Sequence, residues 1–141
     1  MKSKISNLQR KTIILKKEIK KKIKKILFLQ NKKDANLSIV LTNDQIIKNL
    51  NREFLGKNYP TDVLAFNLKN KNQAQDSIEA EIIISIETAE KNSKIYKTSF
   101  KYETLLYLVH GILHLCGYDD RRKNDRERMR KREEYILRKI N

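Results

Sequence analysis

Apolar residues recur at helical spacing in several parts of this chain and run almost unbroken in one. Leu15, Ile19, Ile23 and then Ile26 or Leu27 share one helix face, which predicts an amphipathic helix from about residue 8 to 29. Residues 37–41 read as a first strand. Thr42-Asn43-Asp44 supplies capping side chains for a helix through Leu50 and Phe54. The segment 56–60, which ends on the only proline, is a loop, and 63–68 reads as a second strand. A polar hairpin-type loop, 69–77, leads to an isoleucine-rich stretch, 78–86, with the character of a buried central strand. Helices follow at about 87–97, 101–116 and 122–139. This order predicts an α+β fold, with helices packed on a small mixed β-sheet. A length of 141 residues suits one domain, 1–141, with a single core.

The helix at 101–116 carries the most specific pattern. Leu105, Leu108, Val109, Ile112 and Cys116 form its main apolar stripe. His110 and His114 fall on the opposite side, in line with Glu103 and Tyr107. Leu106 and Leu113 lie between the faces, so the helix is apolar around most of its circumference and is expected to be largely buried. His110 and His114 are the only histidines of the chain, and at i,i+4 both imidazoles can reach one point. Gly117 can end the helix with a positive φ and fold the chain back, which brings Asp119 or Asp120 toward that point. Two imidazoles, one carboxylate and an open position describe a catalytic zinc site on a central helix and the turn after it. The competing account is a pair of satisfied core histidines. In the His-Glu-x-x-His signature the general base follows the first histidine; here that position is Gly111, so a peptidase loses its base.

The run His110-Gly-Ile-Leu-His114-Leu-Cys-Gly117-Tyr-Asp resembles the signature of the YbeY family of bacterial metal-dependent endoribonucleases. A block from Leu50-Asn-Arg-Glu to Val63-Leu-Ala-Phe66 is similar to the motif ahead of that family's central strands, and Ala80-Glu-Ile-Ile-Ile-Ser85 to the strand that follows. The resemblance runs from about residue 35 to 125. It implies a zinc-dependent nuclease acting on single-stranded RNA in rRNA maturation and ribosome quality control, with the small ribosomal subunit and its assembly factors as partners. On this reading His110, His114 and Asp120 hold one ion, and Arg52 or Lys57 contacts the scissile phosphate.

The chain departs from the family pattern at two positions. Asp120 stands where the family has a third histidine; a carboxylate suits zinc and is more hospitable to manganese or iron(II). It also makes the centre less positive and a weaker Lewis acid. Leu55 stands where many members carry an arginine, and Arg52 and Lys57 are the nearby cations. Both departures keep open a runner-up, a metal- and RNA-binding ribosome-assembly factor with little or no catalysis. A hydrolase of small molecules is the third class.

Charge bears on the partner independently. The formal net charge is +15, more than solubility requires. It is concentrated at residues 16–25 and 121–132, each a footprint for a phosphate backbone. A lysine-rich composition imposed by an AT-rich genome is the competing account. A basic amphipathic helix could also lie on an anionic membrane. No apolar run approaches the roughly 20 residues of a membrane span, and residues 26–29 form the longest early apolar run, too short for a signal peptide's core. Cys116 is the only cysteine, which excludes an intramolecular disulfide. A cytoplasmic protein is expected. Asp62 and Glu81 are acids that could serve as outer hydrogen-bond partners of the histidines, although a turn cap and a strand-edge salt bridge are their ordinary roles.

Overall fold

The computed structural model describes residues 2–7, 16–32, 34–70, 72–74 and 76–141. The elements are β1 (Lys2–Asn7), α1 (Lys16–Leu29), β2 (Asp34–Thr42), α2 (Asp44–Leu55), β3 (Val63–Asn67), β4 (Ser77–Ser85), α3 (Ile86–Ile95), α4 (Phe100–Leu115) and α5 (Lys123–Ile140). The α+β class expected from the pattern is the one observed. Four strands form one mixed sheet in the order β1-β2-β4-β3, with β1 and β4 parallel to β2 and β3 antiparallel to β4.

Strand β1 is an addition to the elements expected from sequence. It pairs with β2 from Lys2↔Asn36 to Asn7↔Leu41, yet Ile5 is its only aliphatic side chain, so the segment carries no apolar alternation. Main-chain pairing and one buried isoleucine, 7% exposed, hold it at the sheet edge. The first part of the helix expected from residue 8, including Leu15, lies outside the described residues. From Lys16 onward Ile19, Ile23, Ile26 and Leu27 are all buried, so the apolar stripe that a membrane-surface helix would need is packed into the core. No helix among the described residues is long and apolar enough to cross a membrane.

Alternation along β4 assigns the two faces of the sheet. Ile78, Ala80, Ile82 and Ile84 join the main core with α1, α4 and α5, while Ile83 meets Leu64 of β3 and Ile47 of α2 on the other face. Helix α2 starts at Asn43, whose side chain accepts from Ile46 N at 2.9 Å, and stops at Gly56 with φ 69°. Asn51, 1% exposed, donates from Nδ2 to Tyr59 O at 2.9 Å and pins the loop after α2. At the α2 N-terminus the Asp44 carboxylate accepts from Ser85 Oγ and Thr88 Oγ1, both at 2.5 Å, and pairs with Lys91. These bonds tie α2 to the end of β4 and the start of α3. Burial opposes the ionised form, and the bonds from Lys91, Ser85 and Thr88 outweigh it, so the Asp44 pKa is lowered.

Candidate metal centre

Helix α4 is held at both ends. Ser99 Oγ accepts from Tyr102 N at 3.0 Å, and at the other end Gly117 takes φ 97° while Tyr118 N returns to Leu113 O at 3.0 Å. The helix is buried around most of its circumference, with Glu103, Leu105, Tyr107, Leu108, Val109, Gly111, Ile112 and Leu113 enclosed. His110 and His114 sit at its partly exposed margin. Cys116, expected as a buried apolar residue, is half-buried at the helix end, and burial pushes its thiol up.

The turn after Gly117 carries Asp120 back to the histidines. His110, His114 and Asp120 each offer one ligand atom, and these atoms lie within 4.8 Å of one another. The two Nε2 atoms are 3.1 Å apart, and Asp120 Oδ2 stands 3.5 Å from one and 3.4 Å from the other. Two ligands at about 2.0–2.1 Å from a tetrahedral ion are themselves roughly 3.3 Å apart. The donor set therefore fits a small divalent metal. Asp119 is used differently: it takes a forked bond from Arg121, with Nη2 to Oδ2 at 2.8 Å and Nε to Oδ2 at 3.0 Å. That bond holds its pKa down at about 2.

The outer bonds of the imidazoles fix what the inner atoms can do. His110 Nδ1 donates to Glu133 Oε2 of α5 at 2.7 Å, and His114 Nδ1 donates to Tyr118 O at 3.1 Å. Both partners only accept, so both Nδ1 atoms carry hydrogen and the neutral rings present bare Nε2 lone pairs to each other. Two lone pairs at 3.1 Å beside a carboxylate require a proton or a cation between them. The His110 pKa follows the same logic. Burial alone lowers it, but the bond and charge of Glu133, with Asp62 and Asp120, raise it above the ordinary imidazole value.

Glu133 is the site residue that sequence reasoning missed. Its only signal is an acid in a strongly basic helix; the sequence points to Asp62 and Glu81 for the outer bond. Asp62 instead accepts from Val63 N at 2.8 Å as a turn cap and reaches His110 only through its charge. Glu81 alternates with Ala80 and Ile82 and so points away from the face that α4 covers. Replacing Glu133 with Gln keeps the shape but removes the charge, and is expected to weaken metal binding about 10–100-fold. Competition titration with a chromophoric chelator would read this, and an unchanged affinity would exclude the role.

Arg52 and Lys57 are exposed, at the end of α2 and in the following loop. Neither lines the cavity of about 460 Å³ that opens beside His110 and Asp120; the cations there are Lys123, Arg126 and Arg130 of α5.

An α+β domain that converges two imidazoles and a carboxylate at the end of a buried helix has the donor set of a metal-dependent hydrolase. Comparison with known proteins makes this specific. The family model of endoribonuclease YbeY matches residues 4–141. Endoribonuclease YbeY of Heliobacterium modesticaldum is 40% identical over 115 residues, covering 74% of this chain and 69% of its own. That of Fusobacterium nucleatum is 39% identical over 121 residues, covering 82% and 75%, and that of Salinibacter ruber 36% over 108, covering 73% and 69%. A Thermotoga maritima protein solved in solution superposes with a TM-score of 0.70 at 26% identity, over 99% of this chain and 89% of that one. The chain belongs to the YbeY endoribonuclease family, and RNA is the substrate class that membership carries.

Proposed function

We propose that the chain is a single-strand-specific, metal-dependent endoribonuclease that acts in rRNA maturation and ribosome quality control. The observation that carries the metal dependence is the convergence of His110 Nε2, His114 Nε2 and Asp120 Oδ2, which lie 3.1 to 3.5 Å from one another. Zinc suits a donor set of two nitrogens and one oxygen, and Asp120 also accommodates manganese or iron(II). A bound ion would act as a Lewis acid toward a phosphate oxygen and make a water more acidic. The chain's own residues orient the site: Glu133 and Tyr118 O fix the ring tautomers, and Gly117 returns Asp120 to them. Arg52 and Lys57, exposed outside the cavity, are candidates for phosphate contact on the approach. The net charge of +15 suits the small ribosomal subunit and its RNA as partners, in the cytoplasm.

A second reading, an assembly factor that binds metal and RNA with little cleavage, is favoured by Leu55. This aliphatic residue, 53% exposed, stands where the family resemblance implies an arginine. Metal analysis together with cleavage of matched single-stranded and duplex RNAs decides between the readings. The expected result is one metal per chain and cleavage of the single strand alone, abolished by chelation. Asp120→Ala should weaken metal binding beyond the roughly 100-fold that marks loss of an outer partner. Asp120→His should bind metal and cleave faster than wild type, because the centre regains a positive charge. Metal binding without cleavage would establish the assembly-factor reading, and cleavage insensitive to chelator would exclude the metal.

A further inference from the structure

The basic run at 121–132 divides by structural duty. Arg121 is held by Asp119. Arg132 donates from Nε to Gln30 Oε1 and from Nη2 to Leu29 O, both at 2.7 Å, and its guanidinium lies 4.8 Å from the Tyr135 ring centre, so it clamps the end of α1. Lys123, Arg126 and Arg130 do none of this. They are exposed, follow one another at i, i+3 and i+7 on one face of α5, and line the cavity that contains His110 and Asp120. Among the described residues none of the three makes an ion pair. Arg126 is steadied by a bond from Nη1 to Arg121 O at 3.1 Å, which leaves the rest of its guanidinium outward.

The carboxylates of the same wall explain what the cations are for. Glu133 is engaged by His110 and Asp120 faces the two Nε2 atoms, so Glu127 is the one acid there without a histidine. Three cations and three carboxylates balance, and a divalent ion at the histidines would tip the cavity to net positive. The axial rises from Lys123 to Arg126 and from Arg126 to Arg130 are about 4.5 and 6 Å. Charges at that interval match the succession of phosphates along an extended strand better than they match one compact anion.

We propose that Arg126 and Arg130, with Lys123, form a backbone-phosphate subsite along α5 that holds the strand beside the histidines. This rests on the nuclease reading above and gives it a route: the strand runs along α5, with the phosphate to be cleaved at His110 and its neighbours on the arginines. Contact is to phosphate and not to bases, so affinity should be independent of sequence.

The test uses a labelled single-stranded 2′-O-methyl oligonucleotide, followed by anisotropy over a range of salt, with metal content measured in parallel. Each lost phosphate contact on a single strand lowers the salt slope by about 0.7, so Arg126→Gln/Arg130→Gln should lower it by about 1.4. At ~0.1 M salt this corresponds to binding weaker by roughly 25-fold. Metal content should match wild type, and Arg126→Lys/Arg130→Lys should retain the slope. An unchanged slope in a metal-loaded glutamine variant would overturn the subsite while leaving the nuclease reading intact. Loss of metal along with RNA binding would also overturn it, since the arginines would then be supporting the metal. A wild-type protein that holds metal and cleaves nothing would remove the nuclease reading, whatever the slopes show.

Discussion

Replacing His114 with alanine is expected to leave the chain folded, empty of metal and inactive on RNA. The side chain is 34% exposed and at the margin of the core, so its removal leaves little cavity. Its Nε2 is one of three atoms that converge with separations of 3.1 to 3.5 Å, and two remaining donors do not make a stable site. Lewis acidity contributes several kcal/mol to a transition state, so cleavage should fall by about a thousandfold or more. A bound metal would also report on itself through stability. A ligand at 100 times its Kd stabilises the native state by about 2.7 kcal/mol. Adding chelator should therefore lower the wild-type Tm by roughly 8 °C and leave that of His114→Ala unmoved. Retained cleavage in the variant, or a chelator shift equal to that of wild type, would sink the assignment. His110→Ala should behave alike, with one addition: it strands Glu133, 12% exposed, without its partner and so should unfold more readily.

Much of this centre could be read in the chain because it is local. The i,i+4 histidines, the helix-stopping glycine and the aspartate three residues beyond it occupy eleven consecutive residues, and helix geometry converts that spacing into convergence without help from distant elements. Glu133 was not legible for the complementary reason. It reaches His110 only because α5 turns back along α4, and nothing at position 133 announces this. Among the strands the division is the same. The run 78–86 declared itself by composition, whereas β1 has a single aliphatic residue and exists because a parallel neighbour satisfies its backbone. The basic runs were visible, but their duties were not. Arg132 and Arg130 look alike in sequence, and the first clamps α1 while the second lines the cavity.

Installing the metallopeptidase residue by Gly111→Glu is expected to destabilise the protein severely and confer no peptidase activity. Gly111 faces the sheet. A Cβ placed there would stand 3.2 Å from Ile82 Cγ2, 3.4 Å from Val63 Cγ2 and 3.5 Å from Ile82 Cδ1. Ile82 is fully buried on the central strand β4, so it has little room to withdraw. Alanine would gain about 1 kcal/mol of helix propensity and lose a similar amount to crowding, so Gly111→Ala should lie close to wild type. Glutamate adds a carboxylate with no partner in an apolar layer, at a cost of about 3–5 kcal/mol. Relief by shifting α4 would carry His110 and His114 away from Asp120. Urea unfolding with chelator present, which excludes any contribution from metal, should give a midpoint for Gly111→Glu far below wild type, with Gly111→Ala near it. A glutamate variant with the wild-type midpoint would mean that the side chain has escaped to solvent and that α4 is not held where the glycine permits. The residue that denies this helix a peptidase base is thus the one that sets how closely the histidines are seated on the sheet.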